Sequence, residues 1–249
     1  MRRRRLLVGA TAALAMPSIL RAAEPAADQA SEVDVLLLLA VDVSRSMDED
    51  EASLQRAGYR EALRSTQVLD AIQGGLIGAI GLAYFEWSGM EDQRLLVPWT
   101  RIANAEDATA FTNRLAASPL GIGTWTSISG ALDRASRLIQ AAPFRTSRLI
   151  IDVSGDGTNN SGPPVEEARD RAVARGIVIN GLPVMKTASM GSYDGPADLP
   201  LDAYYRQSVA GGFGSFVLGV EDFAGFGRAV RRKLVMEIAG ESAPPISVV

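Results

Sequence analysis

The 249-residue sequence contains no cysteine and no histidine. The first absence removes disulfide staples, thiolate zinc centres and cysteine nucleophiles. The second removes HExxH peptidases and every serine triad whose general base is an imidazole. Lysine is scarce too: of 25 basic residues only Lys186 and Lys233 are not arginine, a compositional habit rather than a functional signal. No GxGxxG run and no Gly-Lys pair occurs, so dinucleotide and P-loop sites lack their fingerprints. What remains for a chemical site is oxygen, from Asp, Glu, Ser, Thr, backbone carbonyls and water. That is the ligand set of hard cations such as Mg²⁺.

With 47% hydrophobic and 22% charged residues, the composition is that of a globular chain with one substantial core. Met1 to Ala27 has a signal-peptide layout: Arg2 to Arg5, an apolar stretch from Leu6 to Leu20, and small residues around Ala22, Ala23, Ala26 and Ala27. The expectation is export, to the periplasm or outside the cell. Arg3-Arg4-Arg5-Leu6-Leu7 resembles a twin-arginine signal without its usual preceding Ser or Thr, and Sec export is the alternative. The apolar stretch is interrupted by Pro17 and is short for a membrane span, so no stable span is expected after cleavage. Removing residues 1–23 takes away five arginines and no acid, which leaves 20 of the 25 basic residues against 29 acidic ones, a net charge of −9. Nucleic acid is not an expected partner of such a surface.

Residues 28–240 are expected to form one domain, followed by an unstructured tail over 241–249. Val33 to Val43 is a nearly unbroken apolar run, the pattern of a strand buried on both faces. Asp48 to Asp50 open a helix whose apolar positions continue to Leu69 and which closes at Gly74-Gly75. Leu76 to Trp87 and Arg94 to Thr100, separated by Ser88-Gly89, predict a hairpin at a sheet edge. Helical patterns over Ala105 to Ala117 and Ser127 to Ala142 precede a strand at Arg148 to Val153. Pro163-Pro164 open a further helix that Gly176 stops, and Ile177 to Leu182 form another strand. A last strand is predicted at Ser215 to Val220 and a last helix after its cap, Asp222. Between them, Met185 to Gly214 is long for a connection, with Leu201 to Val209 as an extra surface helix. Strands alternating with helices predict an α/β fold: a doubly wound, mostly parallel sheet with one antiparallel edge strand. In such sheets, sites form beyond the carboxyl ends of the strands.

Three segments fall at those ends. Asp42-Val43-Ser44-Arg45-Ser46 places a carboxylate and two hydroxyls at alternate positions; alone it also fits a Ser/Asp cluster that caps a helix. Gly121-Ile122-Gly123-Thr124-Trp125-Thr126-Ser127 presents Thr124 from a glycine-bearing loop, and Asp152-Val153-Ser154-Gly155-Asp156-Gly157 puts Asp156 just past a buried strand. Together they offer two carboxylates and three hydroxyls, enough with water to surround an octahedral Mg²⁺ and leave one position for an outside ligand.

In order and spacing these motifs resemble the metal-ion-dependent adhesion site of a von Willebrand factor A (VWA) domain, and the resemblance spans about residues 33–239. It implies that Ser44, Ser46 and Thr124 touch the metal by hydroxyl, with Asp42 and Asp156 bound directly or through water. The ion would be Mg²⁺, with Mn²⁺ or Ca²⁺ as substitutes. The sixth ligand would be an Asp or Glu carboxylate from a partner protein, and the protein would be a binding domain rather than an enzyme. Two positions depart from the pattern: Gly155 stands where the family often has Thr, and Ile122 interrupts the glycines before Thr124. Glu86-Trp87-Ser88-Gly89, Val97-Pro98-Trp99-Thr100 and Ser154 to Asn160 also resemble an uncharacterised family of exported bacterial proteins of this fold.

Rival readings use the same residues. Asp152, Ser154 and Asp156 mimic an EF-hand loop, but its twelfth position is Pro163, where a bidentate Glu is required. A phosphatase with Asp42 as nucleophile would want an Asp where Ser44 stands. An oxygen-ligated metal hydrolase and a structural assembly factor with an empty site are the remaining alternatives. Trp87 and Trp125 flank the site loops, either as packing beneath them or as an aromatic rim for a partner, and Glu86 is either a support of the site or a strand-end acid.

Overall fold

The computed structural model describes residues 31–121, 123–185, 199–221 and 223–240. The expected signal peptide, the tail, Ile122, Tyr193 and the Asp222 cap lie outside them. A five-stranded sheet forms the centre, in the order β3-β2-β1-β4-β5. Its strands are β1 (Leu36–Asp42), β2 (Ile80–Trp87), β3 (Gln93–Ile102), β4 (Leu149–Gly155) and β5 (Ile177–Pro183). β1 pairs in parallel with β2 and β4, β4 in parallel with β5, and β2 in antiparallel with the edge strand β3. The fold is therefore the doubly wound α/β class expected from the sequence.

Every residue of β1 is buried, because the strand is central and covered on both faces. Its alternate side chains feed two cores. Leu37, Leu39 and Val41 join the core beneath α1 (Glu49–Leu63), α2 (Thr66–Gln73), α3 (Ala105–Ala117) and α7 (Phe223–Ala239). Leu38 and Ala40 join the other, beneath α4 (Ile128–Gln140) and α5 (Val165–Val173). Because β1's neighbours are reached by crossovers on opposite faces, the carboxyl ends of β1 and β4 border the crevice where such a sheet reverses its winding.

Three elements differ from expectation. The helix predicted from Asp48 to Gly74 is two helices, because Ser65 turns its hydroxyl onto Ala62 O (2.7 Å) and accepts from Val68 N, ending α1 and capping α2. The strand predicted at Ser215 to Val220 is reduced to isolated bridges, Gly181 to Val217 and Val184 to Val220. Asn180 Oδ1 accepts Phe216 N–H (3.0 Å), so a side chain takes a donor that a regular ladder would use. Finally, the surface helix predicted at Leu201 to Val209 is α6 (Leu201–Tyr204) running into a single π turn, Tyr205–Val209, and it is not superficial: Tyr205 and Val209 are fully buried.

An ionic cluster lies beneath α7. Lys233 Nζ sits 2.7 Å from Asp152 Oδ1 and 2.5 Å from Glu237 Oε1, with all three side chains closed to solvent. Asn180 Nδ2 donates to the same Glu237 oxygen at 2.9 Å. One ammonium faces two carboxyls, and burial together with Asp152 pushes the Glu237 carboxyl up to about 7. A carboxyl raised this way holds its proton more tightly in the folded than in the unfolded state, so folding stability falls as pH rises from about 4.5 towards 7. Urea denaturation between those pH values should show this decline in the wild type, and Glu237→Gln should flatten it.

Candidate metal centre

The site begins with the end of β1. Asp42 closes the strand, and Gln55 Nε2 of α1 holds the Asp42 carbonyl at 2.9 Å. The chain then folds back so that Ser44 N–H donates to Asp42 Oδ1 at 2.7 Å. Asp48 caps α1 by accepting from Glu51 N, while Glu51 accepts from Asp48 N, a reciprocal pair that fixes the turn carrying both serines. Ser44 Oγ lies 3.1 Å from Ser46 Oγ, and Ser46 Oγ donates to Asp156 Oδ1 at 2.5 Å. Asp42, Ser44, Ser46 and Asp156 are thus brought together across 110 residues of sequence between Ser46 and Asp156.

Thr124 stands on the adjoining loop, exposed, and makes no hydrogen bond to the other four among the described residues. Its loop is nevertheless tied to them: Gly123 N donates to Val43 O at 2.8 Å, and Ser127 N to Ser88 O at 2.7 Å. Gly123 has to be glycine here, because a Cβ would fall 1.7 Å from Ser88 Oγ. Asn160 clamps the far end, accepting from Thr126 N and donating its own N–H to Thr126 O.

A salt-bridge network supports this loop. Glu86, buried at the end of β2, receives Arg56 Nη2 at 2.5 Å on one oxygen and Arg94 Nη2 at 2.8 Å on the other. Arg56 also donates to Ser118 O at 2.6 Å, and the Arg94 guanidinium packs where a Gly121 side chain would be. Burial pushes the Glu86 carboxyl up, and the two guanidiniums oppose that shift. Glu86 is therefore a support of the Thr124 loop. Arg56 and Arg94 were not legible as such, since an arginine on an amphipathic helix or a hairpin ordinarily faces water. Trp87 is fully buried and packs in the core, whereas Trp125 is 58% exposed beside Thr124.

Electrostatically the site is short of positive charge. Asp42 is completely buried, its Oδ2 has no hydrogen-bond partner, and burial with the Asp156 charge pushes its carboxyl up to about 8. Among the described residues no group of three or more Asp, Glu, His or Cys is assembled. A cation here would rest on two carboxylates, hydroxyls and water, and the oxygen donors present fit a hard divalent ion.

The architecture is that of a VWA domain. In solved structures it resembles the proximal thread matrix protein 1 from the mussel byssus in its form with a zinc-occupied MIDAS motif (TM-score 0.61, 13% identity, 84% of this chain and 49% of that one). It also resembles a von Willebrand factor type A protein from Catenulispora acidiphila (TM-score 0.56, 15% identity, 83% and 43%). A third likeness is to the pilus adhesin SpaC from Lactobacillus rhamnosus GG in its open conformation (TM-score 0.60, 15% identity, 84% and 30%). The chain spans about half the length of the mussel protein, so the likeness is to one part of it. At these identities the comparison establishes the fold. No curated protein matches the sequence. The chain belongs to the family described as protein of unknown function DUF1194, whose model matches residues 32–242.

A buried carboxylate with an unmet oxygen costs stability, and removing its charge should return some of it. Asp42→Asn keeps the acceptor for Ser44 N–H and should raise the metal-free melting temperature at pH 8.5, by a few degrees. A residue with a purely structural role would lower it.

Proposed function

We propose that the chain is a metal-dependent protein-binding domain that works in the periplasm or outside the cell. Asp42, Ser44, Ser46, Thr124 and Asp156 would hold the cation, Mg²⁺ in the first instance, and an Asp or Glu carboxylate of a partner protein would complete its coordination. The observation that carries this reading is the buried Asp42 carboxylate, with Oδ2 unpartnered, next to Ser44, Ser46 and Asp156 at the winding reversal of the sheet. The zinc-occupied MIDAS of the mussel protein supports it by analogy of fold. So does the likeness to the pilus adhesin, a protein named for adhesion.

The chain's own residues divide the work. Ser44 and Ser46 present neutral oxygens from a turn pinned by the Asp48–Glu51 cap, and Asp156 presents charge from the end of β4. Thr124 can turn its hydroxyl onto the ion, because its side chain is exposed while Gly123 and Thr126 on either side hold the loop in place. A bound cation would supply positive charge to two carboxylates and an open coordination position. Ligation by neutral serines and threonine leaves that ion under-neutralised, which favours an anionic sixth ligand. Trp125, exposed beside Thr124, would then lie at the edge of the contact.

Folded-state binding stabilises by RT ln(1 + [L]/Kd), about 2.7 kcal/mol at a hundredfold excess over Kd. Millimolar Mg²⁺ should therefore raise the melting temperature of the wild type and leave Asp156→Ala unmoved. Partner binding, measured by surface plasmon resonance, should disappear in EDTA, return with Mg²⁺, and be lost equally on substituting one Asp or Glu of the partner. Binding that persists in EDTA would assign recognition to another surface.

A further inference from the structure

The position where this chain departs from the VWA pattern is filled from elsewhere in the fold. A Cβ placed on Gly155 would lie 2.8 Å from Asp42 Oδ2 and 2.8 Å from Tyr205 Oη. Two oxygens from distant segments therefore converge on the bare Cα of Gly155. Neither has a hydrogen-bond partner, and both side chains are fully buried. A phenol hydroxyl enclosed without a partner forfeits a hydrogen bond that water would have supplied, so its retention calls for a missing partner.

The surrounding structure holds the ring in this place. On β5, a Cβ on Gly181 would lie 2.7 Å from Tyr205 Cδ1, so glycines on two adjacent strands open the slot that the ring occupies. Tyr205 begins the π turn, a local widening of helical geometry that re-aims a side chain and recurs at functional sites. The preceding residue fastens the turn to the site loop, because Tyr204 Oη accepts Asn159 N–H at 3.2 Å, three residues beyond Asp156.

We propose that Tyr205 is a positioning residue of the cation site: its hydroxyl, which makes no hydrogen bond to Asp42 Oδ2 in this structure, would donate one to that oxygen once a cation is bound and hold the carboxylate in its ligating orientation. This rests on the metal-binding reading of Asp42 and its neighbours, and it explains why Gly155 is tolerated: the oxygen that a Thr would bring at this point comes from Tyr205. Groups that orient metal ligands in this way typically change affinity by about 10- to 100-fold when removed.

Tyr205→Phe deletes only the oxygen and leaves the ring in its slot. Isothermal titration of the mature protein with Mn²⁺ should show an affinity weaker by about 10- to 100-fold than wild type. The metal-free melting temperature should be unchanged or higher, since a buried hydroxyl without a partner has been removed. Adding Mg²⁺ to the wild type should also produce a tyrosine difference spectrum that Tyr205→Phe abolishes, a signal that simple packing of the ring would not give. Wild-type Mn²⁺ affinity in Tyr205→Phe, or a difference spectrum that survives the substitution, would overturn the role of Tyr205 and leave the metal site standing. Absence of Mn²⁺ binding by the wild type would instead overturn the metal site on which it rests.

Discussion

Asp42 is an acid at the end of a central strand that is buried at every residue, and much of the neighbouring structure is arranged around that fact. Its carboxylate is closed to water, takes one backbone N–H on Oδ1 and has nothing on Oδ2. A chain selected for stability alone would put an apolar residue here, as it does at the six preceding positions of β1. The acid is retained where the sheet changes its direction of winding, with Ser44, Ser46 and Asp156 alongside. Such a site has a deficit of positive charge, which a divalent cation of hard character would meet.

The remainder of the fold supplies rigidity to three loops. The Asp48–Glu51 cap and Gln55 fix the first, the Glu86–Arg56–Arg94 bridges buttress the second, and Asn159 and Asn160 brace the third against α4, Thr126 and Tyr204. Each loop is thereby held by a group outside the candidate ligands, which is how a site of weak neutral donors would acquire geometry. The Lys233, Asp152 and Glu237 cluster lies on the opposite side of β4 and anchors α7 to the sheet. Its Asp152 lies on β4, the strand that leads to Asp156, but the cluster belongs to the scaffold.

How much of this could be read beforehand depended on the range of the interaction. β1, α3 and the β2–β3 hairpin follow from local periodicity, and α3 spans the residues its pattern predicts, Ala105–Ala117. The ligand candidates Asp42, Ser44, Ser46 and Asp156 stood out because a single motif and a strand end carry them. Tyr205 did not, since nothing in Leu201 to Val209 reveals that two glycines on other strands leave a cavity for its ring. The reading of that segment as a surface helix failed for the same reason. The split at Ser65 and the loss of a regular strand at Ser215 to Val220 both trace to side chains, Ser65 and Asn180, that capture backbone partners. Periodicity carries no record of such captures.

The central claim is that a divalent cation sits among these oxygens, and the direct measurement is anomalous diffraction from crystals of the protein grown with Mn²⁺. The predicted result is an anomalous peak in contact with the hydroxyls of Ser44 and Ser46 and the carboxylate of Asp156, with Thr124 drawn towards it. A map with no peak at the carboxyl ends of β1 and β4, at Mn²⁺ concentrations that saturate the solution response, would contradict it.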